Sequence, residues 1–214
     1  MANHASILAH VNFGYGKAAQ FLGAPFQQYR PTDPLNPLGI SLGSLMADFD
    51  IDPKFSYKAP STYGKPLYYG LFDATNVRVG DYLVGAEGTF FVANMEPNKP
   101  VLCVSCNRTV GIFRPQPTPV GPGYYGGDRR SGGEQTLMTG VPVSELQGIR
   151  GERGPANLPG DTRMPWIAVL LPAIGGVEIE AADRMNDDLG RWFTVSSAEL
   201  TNLGWRLTAI LADT

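Results

Sequence analysis

Two stretches of this chain repeat one pattern. GAEGTFFVA (Gly85 to Ala93) and DDLGRWFTV (Asp187 to Val195) each place a glycine two and three residues ahead of a pair of aromatics. Aligned without gaps at an offset of 102 residues, Asp81 falls opposite Asp183 and Gly88 opposite Gly190. Phe90 then faces Trp192, Phe91 faces Phe193, and Val101, Cys103 and Cys106 meet Leu203, Trp205 and Thr208. The unit reads as a polar start, a strand, a glycine turn, an aromatic strand, a loop and a returning strand. A glycine supplies the positive φ of a tight hairpin turn. In the strand that follows, adjacent side chains point to opposite faces, so one aromatic of each pair fills a core and the other meets a neighbour. Two readings fit: a duplicated small β-barrel unit, or two unrelated hairpins that share a glycine turn. Both call for antiparallel β structure.

Composition agrees. Glycine (26) and proline (18) make about a fifth of the 214 residues, above the average of roughly 12 %. The 22 aromatics and 43 % hydrophobic content are too high for a disordered chain. The fold class expected is mainly β: one or two small antiparallel barrels or sandwiches, a short N-terminal helix, and long Pro/Gly-rich arms and loops. The net charge of −3 and pI near 5.4 do not suggest a nucleic-acid binder, although they leave the distribution of charge open. No run reaches the roughly 18 apolar residues of a membrane span, and the N-terminus lacks the basic and apolar regions of a signal peptide. The expectation is a protein made in the cytoplasm, with no membrane partner.

Four segments follow. Residues 1–76 read as a helix near Tyr15 to Leu22 followed by an extended arm, because APFQQYRPTDPLNPLG carries four prolines. Residues 40–74 read as irregular chain with scattered aromatics that must lie on their own domain or on a neighbouring subunit. Residues 77–114 read as a first β-meander, 115–165 as Gly/Pro-rich interaction loops, and 166–214 as a second meander completing a β-barrel. Within the loops, Tyr124, Tyr125, Arg129 and Arg130 sit at a glycine-rich tip and read as interface residues, as do Tyr29 and Arg30 in the arm. Phe90, Phe91, Trp192, Phe193 and Trp205 are the expected packing residues.

Catalytic chemistry is sparse. His4 and His10 lie at the start of the chain. FGYGKAA lacks the G-x-x-x-x-G-K-[ST] spacing of a phosphate loop. Ser197 lies outside any G-x-S-x-G elbow and reads as a cap. Cys103 and Cys106 form a C-x-x-C that falls in a strand, placing the two sulfurs on opposite faces rather than at a redox helix start. A metal site at this pair would need further ligands. Glu178, Glu180, Asp183, Asp187 and Asp188 cluster without the pattern of an EF-hand and read as a solvated turn. No catalytic, cofactor-binding or metal residue is assigned.

ADRMNDDLGRWFTVSSAELTNLGWRLTAIL resembles the closing hairpins of head–tail connector (head-closure or adaptor) proteins of tailed bacteriophages. YGKAAQFLGAPFQQYRPTDPLNPL and VGDYLVGAEGTFFVANMEPNKPVLCVSCNRTV resemble minor virion proteins of phages and prophages. The resemblance covers residues 11–38, 77–114 and 178–212. It implies a non-enzymatic virion protein at the neck or tail hub, assembled as a six-fold or twelve-fold ring. Its implied partners are portal, adaptor, tail or fibre proteins, with non-specific contact to DNA in a channel. Two alternatives remain: a capsid-decoration or fibre-attachment protein, and a small cytoplasmic β-fold hydrolase.

Overall fold

A computed structural model describes residues 4–52, 65–116, 133–147 and 166–212. Helix α1 (His4–Leu22) is followed by twelve strands: β1 (Ala24–Tyr29), β2 (Ser41–Asp50), β3 (Leu67–Leu71), β4 (Tyr82–Gly85), β5 (Gly88–Asn94), β6 (Val101–Cys106), β7 (Arg108–Pro115), β8 (Glu134–Gln147), β9 (Trp166–Leu171), β10 (Arg184–Asp187), β11 (Trp192–Thr201) and β12 (Gly204–Leu211). The mainly β expectation is met.

The strands form two closed six-stranded antiparallel barrels. The first runs β1-β2-β3-β6-β5-β4 and the second β7-β8-β9-β12-β11-β10, with the last strand of each pairing with the first. Adding six to each strand number of the first barrel gives the second, so the topology is duplicated across the twelve described strands. The meander at 77–114 is therefore not a unit. It contains the last three strands of one barrel and the first strand of the next.

The duplicated register is specific, and it corrects the ungapped alignment. Tyr82 pairs with Tyr29 and Arg184 with Phe113, so the offset of 102 holds for β4 and β10. It then slips by one in the hairpin. Gly85 pairs directly with Gly88, whereas Asp187 N donates to Arg191 O (3.1 Å) around a turn one residue longer. Gly88 thus corresponds to Arg191, not Gly190. Phe90, paired with Leu83, corresponds to Phe193, paired with Met185. Both hairpin partners face their own barrel interior. The irregularities between Val92 and Asn94 and between Val195 and Ser197 fall at the same place, so even the bulge is repeated. Ser197 is a strand residue opposite Thr208 rather than a cap.

The extended arm is also corrected. Residues 24–29 and 41–50 form two strands of the first barrel, and 67–71 a third. Proline does not prevent this: the β4 ladder begins at Phe26, so Pro25 has a strand on one side only. Its interior is aromatic. Phe49 stacks on Phe90 at 3.9 Å and Phe26 meets Phe49 edge-on at 5.1 Å, favourable geometries for buried rings. The second barrel is aliphatic, filled by Val110, Ile112, Met138, Val141, Val169, Leu171, Met185 and Leu207 around Phe193.

One residue, Asn107, links the barrels, and it is clamped. Its Nδ2 donates to Glu145 O (2.8 Å), its Oδ1 accepts from Glu145 N (2.7 Å), and its backbone N donates to Val143 O (2.9 Å). The outward side chains Tyr82, Phe91, Ala93 and Val104 of the first barrel join the core of the second, and Tyr82 Oη donates to Pro142 O (2.8 Å). Residues 31–39 strap across the joint, where Thr139 N donates to Pro34 O (3.1 Å) and Leu38 packs on the shared core. Helix α1 starts earlier than expected and lies over β2 and β3. Gly16 allows the close approach, since a Cβ there would sit 2.9 Å from Asp73 Cβ.

Candidate functional site at the barrel ends

In each barrel the third strand connects to the fourth by a loop across the barrel end, residues 72–81 in the first and 172–183 in the second. A buried aspartate closes each loop. Asp81 accepts from Arg30 Nε (2.8 Å) and Nη2 (2.7 Å), from Gln28 Nε2 (2.7 Å) and from Arg78 N (2.9 Å). Asp183 accepts from Arg114 Nε (2.9 Å) and Nη2 (2.9 Å) and from Glu180 N (2.8 Å). The same guanidinium nitrogen also reaches a loop carbonyl in both cases, Asn76 O at 3.0 Å and Glu178 O at 2.9 Å. Such a bidentate fork fixes orientation as well as charge. The carboxylates push the Arg30 and Arg114 guanidinium pKa values further up, mainly through these hydrogen bonds. Each aspartate backbone completes the closure: Val92 N donates to Asp81 O (2.9 Å) and Val195 N to Asp183 O (2.8 Å).

The two ends then diverge. The second barrel places Ile112 and Met138 against each other across β7 and β8, and both are fully buried. In the first barrel their places are taken by Gln28 and Gly43. Gly43 has φ of 126° and open space where a Cβ would be. A cavity of about 550 Å³ consequently opens at the mouth of the first barrel, lined by Gln28, Arg30, Ser44, Thr75, Asn76 and Arg78 among others. The rim charge is reversed as well. Arg78 occupies the position of Glu180. Glu180 Oε1 lies 3.3 Å from Arg114 Nη1, whereas Arg78 is exposed and forms no ion pair among the described residues.

A second polar cluster sits at the joint. Arg191 Nε donates to Asp187 Oδ2 (2.6 Å), and its Nη2 bridges to Glu145. Glu145 Oε2 is buried without a partner. Burial, more than any neighbour, pushes the Glu145 pKa up.

The expected site residues are distributed as follows. Tyr29 packs on the shared core, and Arg30 clamps Asp81 while keeping an edge toward the open mouth of the first barrel. Tyr124, Tyr125, Arg129 and Arg130 lie outside the described residues. Phe90, Phe91, Phe193 and Trp205 are buried; Trp192 is half-buried and faces outward, 4.3 Å beneath the Arg184 guanidinium and tilted against Phe113. Cys103 points into the first barrel and Cys106 toward the second, on opposite faces as expected, and burial raises both thiols well above the usual range. The acidic cluster is not simply a solvated turn, because Asp183 and Asp187 are buried and paired with arginines. Missing from the sequence reading were Gln28, Gly43, Arg78, Asp81 and Arg114 as site-forming residues. The signal was present as YRP (Tyr29 to Pro31) and FRP (Phe113 to Pro115), one per barrel.

No protein-family model matches the sequence, and neither a curated protein nor a solved structure matches the chain.

Proposed function

We propose that this protein is a structural component of a tailed-phage virion, self-associating as a ring at the head–tail neck or tail hub. The observation that carries the reading is an apolar face left open on a rigid body. Helix α1 covers the first barrel with one side and turns Ile7, Phe13 and Phe21 to solvent on the other, with Phe13 61 % and Phe21 87 % exposed, and Leu22 exposed beside them. Large exposed apolar patches mark protein–protein contacts. The body behind them is stiff, since the barrels share a core, a one-residue linker and a strap. A ring needs such blocks, because each heterologous contact must repeat the same rotation for the ring to close. The aspartate–arginine pairs at the barrel ends hold loops in place rather than facing a reactant, which accords with action through shape.

Native mass spectrometry of the purified full chain tests the reading. Closed oligomers of one size support it, and Phe13→Ser/Phe21→Ser should shift them to monomers while far-UV circular dichroism stays unchanged. A chain that remains monomeric, and is missing from purified virions by peptide mass spectrometry, overturns it.

A further inference from the structure

The duplication provides a control for the mouth of the first barrel. Where the second barrel plugs its end with Ile112 and Met138, the first leaves an opening floored by Gln28 and flanked by Gly43. Its fixed carboxylate, Asp81, is already saturated by four donors. Asp73, the other acid at the rim, caps Thr75 through backbone N (3.0 Å) and hydroxyl contacts. The charges that face the opening are the Arg78 guanidinium and the outer edge of Arg30 on one side and the exposed Asp73 carboxylate on the other, with the Ser44 hydroxyl alongside. Arg30 is already paired with Asp81, so among the described residues of the mouth Arg78 is the guanidinium with its fork free for an incoming carboxylate. The corresponding loop of the second barrel has the opposite character. It presents Glu178 and Glu180, both exposed, and among the described residues the Glu180 carboxylate meets one cation, Arg114 at 3.3 Å, in a contact that solvent screens.

We propose that the mouth of the first barrel receives the Glu178–Glu180 loop of a second copy of this chain, with Glu180 of the incoming loop pairing with Arg78. The proposal rests on the self-association reading above and adds which surfaces meet. Arg78 and Glu180 carry opposite charges at equivalent positions on duplicated barrels, so a head-to-tail contact uses each once per subunit. Electrostatic complementarity of this kind sets partner register.

A charge swap tests it on the full chain. Arg78→Glu and Glu180→Arg each install the residue that the other barrel already carries at that position, so both folds are tolerated. Sedimentation equilibrium of the two single variants should show self-association weakened about tenfold or more, and the double variant R78E/E180R should recover most of the loss. Circular dichroism and the unfolding midpoint should stay at wild-type values throughout. Oligomers insensitive to R78E, or no recovery in the double variant, overturn this contact while leaving self-association standing. A wild-type chain that is monomeric at every concentration overturns both.

Discussion

Asp81→Asn is the sharpest probe of how the barrels are held together. The carboxylate is buried and accepts four hydrogen bonds, two of them from the Arg30 fork. Asparagine keeps the shape, removes the charge and turns an NH2 toward groups that are themselves donors. Arg30, whose side chain is 24 % exposed, is left without its counter-charge, and breaking such a pair from one side costs about 3–5 kcal/mol. For a chain of this size that corresponds to roughly 6–20 °C in Tm. The assay is urea unfolding followed by tryptophan fluorescence. Trp166, Trp192 and Trp205 all lie in the second barrel, while Asp81 lies at the end of the first. Because Tyr82, Phe91, Ala93 and Val104 belong to the second barrel's core, loss of the first barrel should drag the tryptophan transition to lower urea. The fluorescence and far-UV dichroism curves should coincide. A tryptophan midpoint left at its wild-type value, with a separate earlier step in dichroism, would refute the shared core as the coupling element. A total cost below about 1 kcal/mol would instead refute the clamp argument.

Three further outcomes follow from particular residues. Phe193→Ala should cost about 3–5 kcal/mol, as for a fully enclosed ring, while Trp192→Ala, which loses an outward stack on Arg184, should cost about 1–2 kcal/mol; equal costs by urea unfolding would show the hairpin register to be wrong. Glu145 has its pKa raised, chiefly by burial, so the folded state holds the proton more tightly than the unfolded chain. The stability from this group is complete below its unfolded pKa and is lost as pH rises through the folded one. Wild type should therefore gain on Glu145→Gln as pH falls from neutral toward the ordinary carboxylate range, and a difference that is flat or shrinks contradicts the assignment. Ala182 sits at φ of 75° where the first barrel has Gly80 at φ of 92°, so Ala182→Gly should stabilise the fold by about 0.5–1 kcal/mol by relieving left-handed strain; a loss in Tm would count against it.

The sequence shows the duplication at its strongest point and hides it elsewhere, for identifiable reasons. Asp81 and Asp183 stand out because each is buried and accepts the fork of an arginine, a role that a carboxylate fills best. The hairpins beside them look alike through the glycines, yet Gly88 and Gly190 are not equivalent, since one turn is a residue longer. The first three strands of each barrel are invisible to an ungapped comparison. Their connections differ in length, and Phe26 and Gln28 in one barrel stand where Val110 and Ile112 stand in the other. Density of proline misled in the same region: Pro25 stands at a strand end, and Pro31, Pro34 and Pro37 stiffen a strap that lies against the second barrel. Strand alternation did place Cys103 and Cys106 correctly on opposite faces, because a period of two is fixed by the backbone and not by the neighbours.

Duplicated barrels also separate what folding requires from what divergence has been free to change. Conserved between the two halves are the strand order, the bulge, the arginine fork and the positive φ before the aspartate. These are the features that close a barrel end. Changed between them are the plug and the rim: Ile112 and Met138 against Gln28 and Gly43, and Glu180 against Arg78. An amide and a hydrogen in place of two buried apolar side chains give up apolar burial, and of this the Gln28 hydrogen bond to Asp81 offsets only a part. The first barrel end is therefore open where its twin is filled, as the proposed contact requires. The Arg78 position then decides the sign of what it can meet.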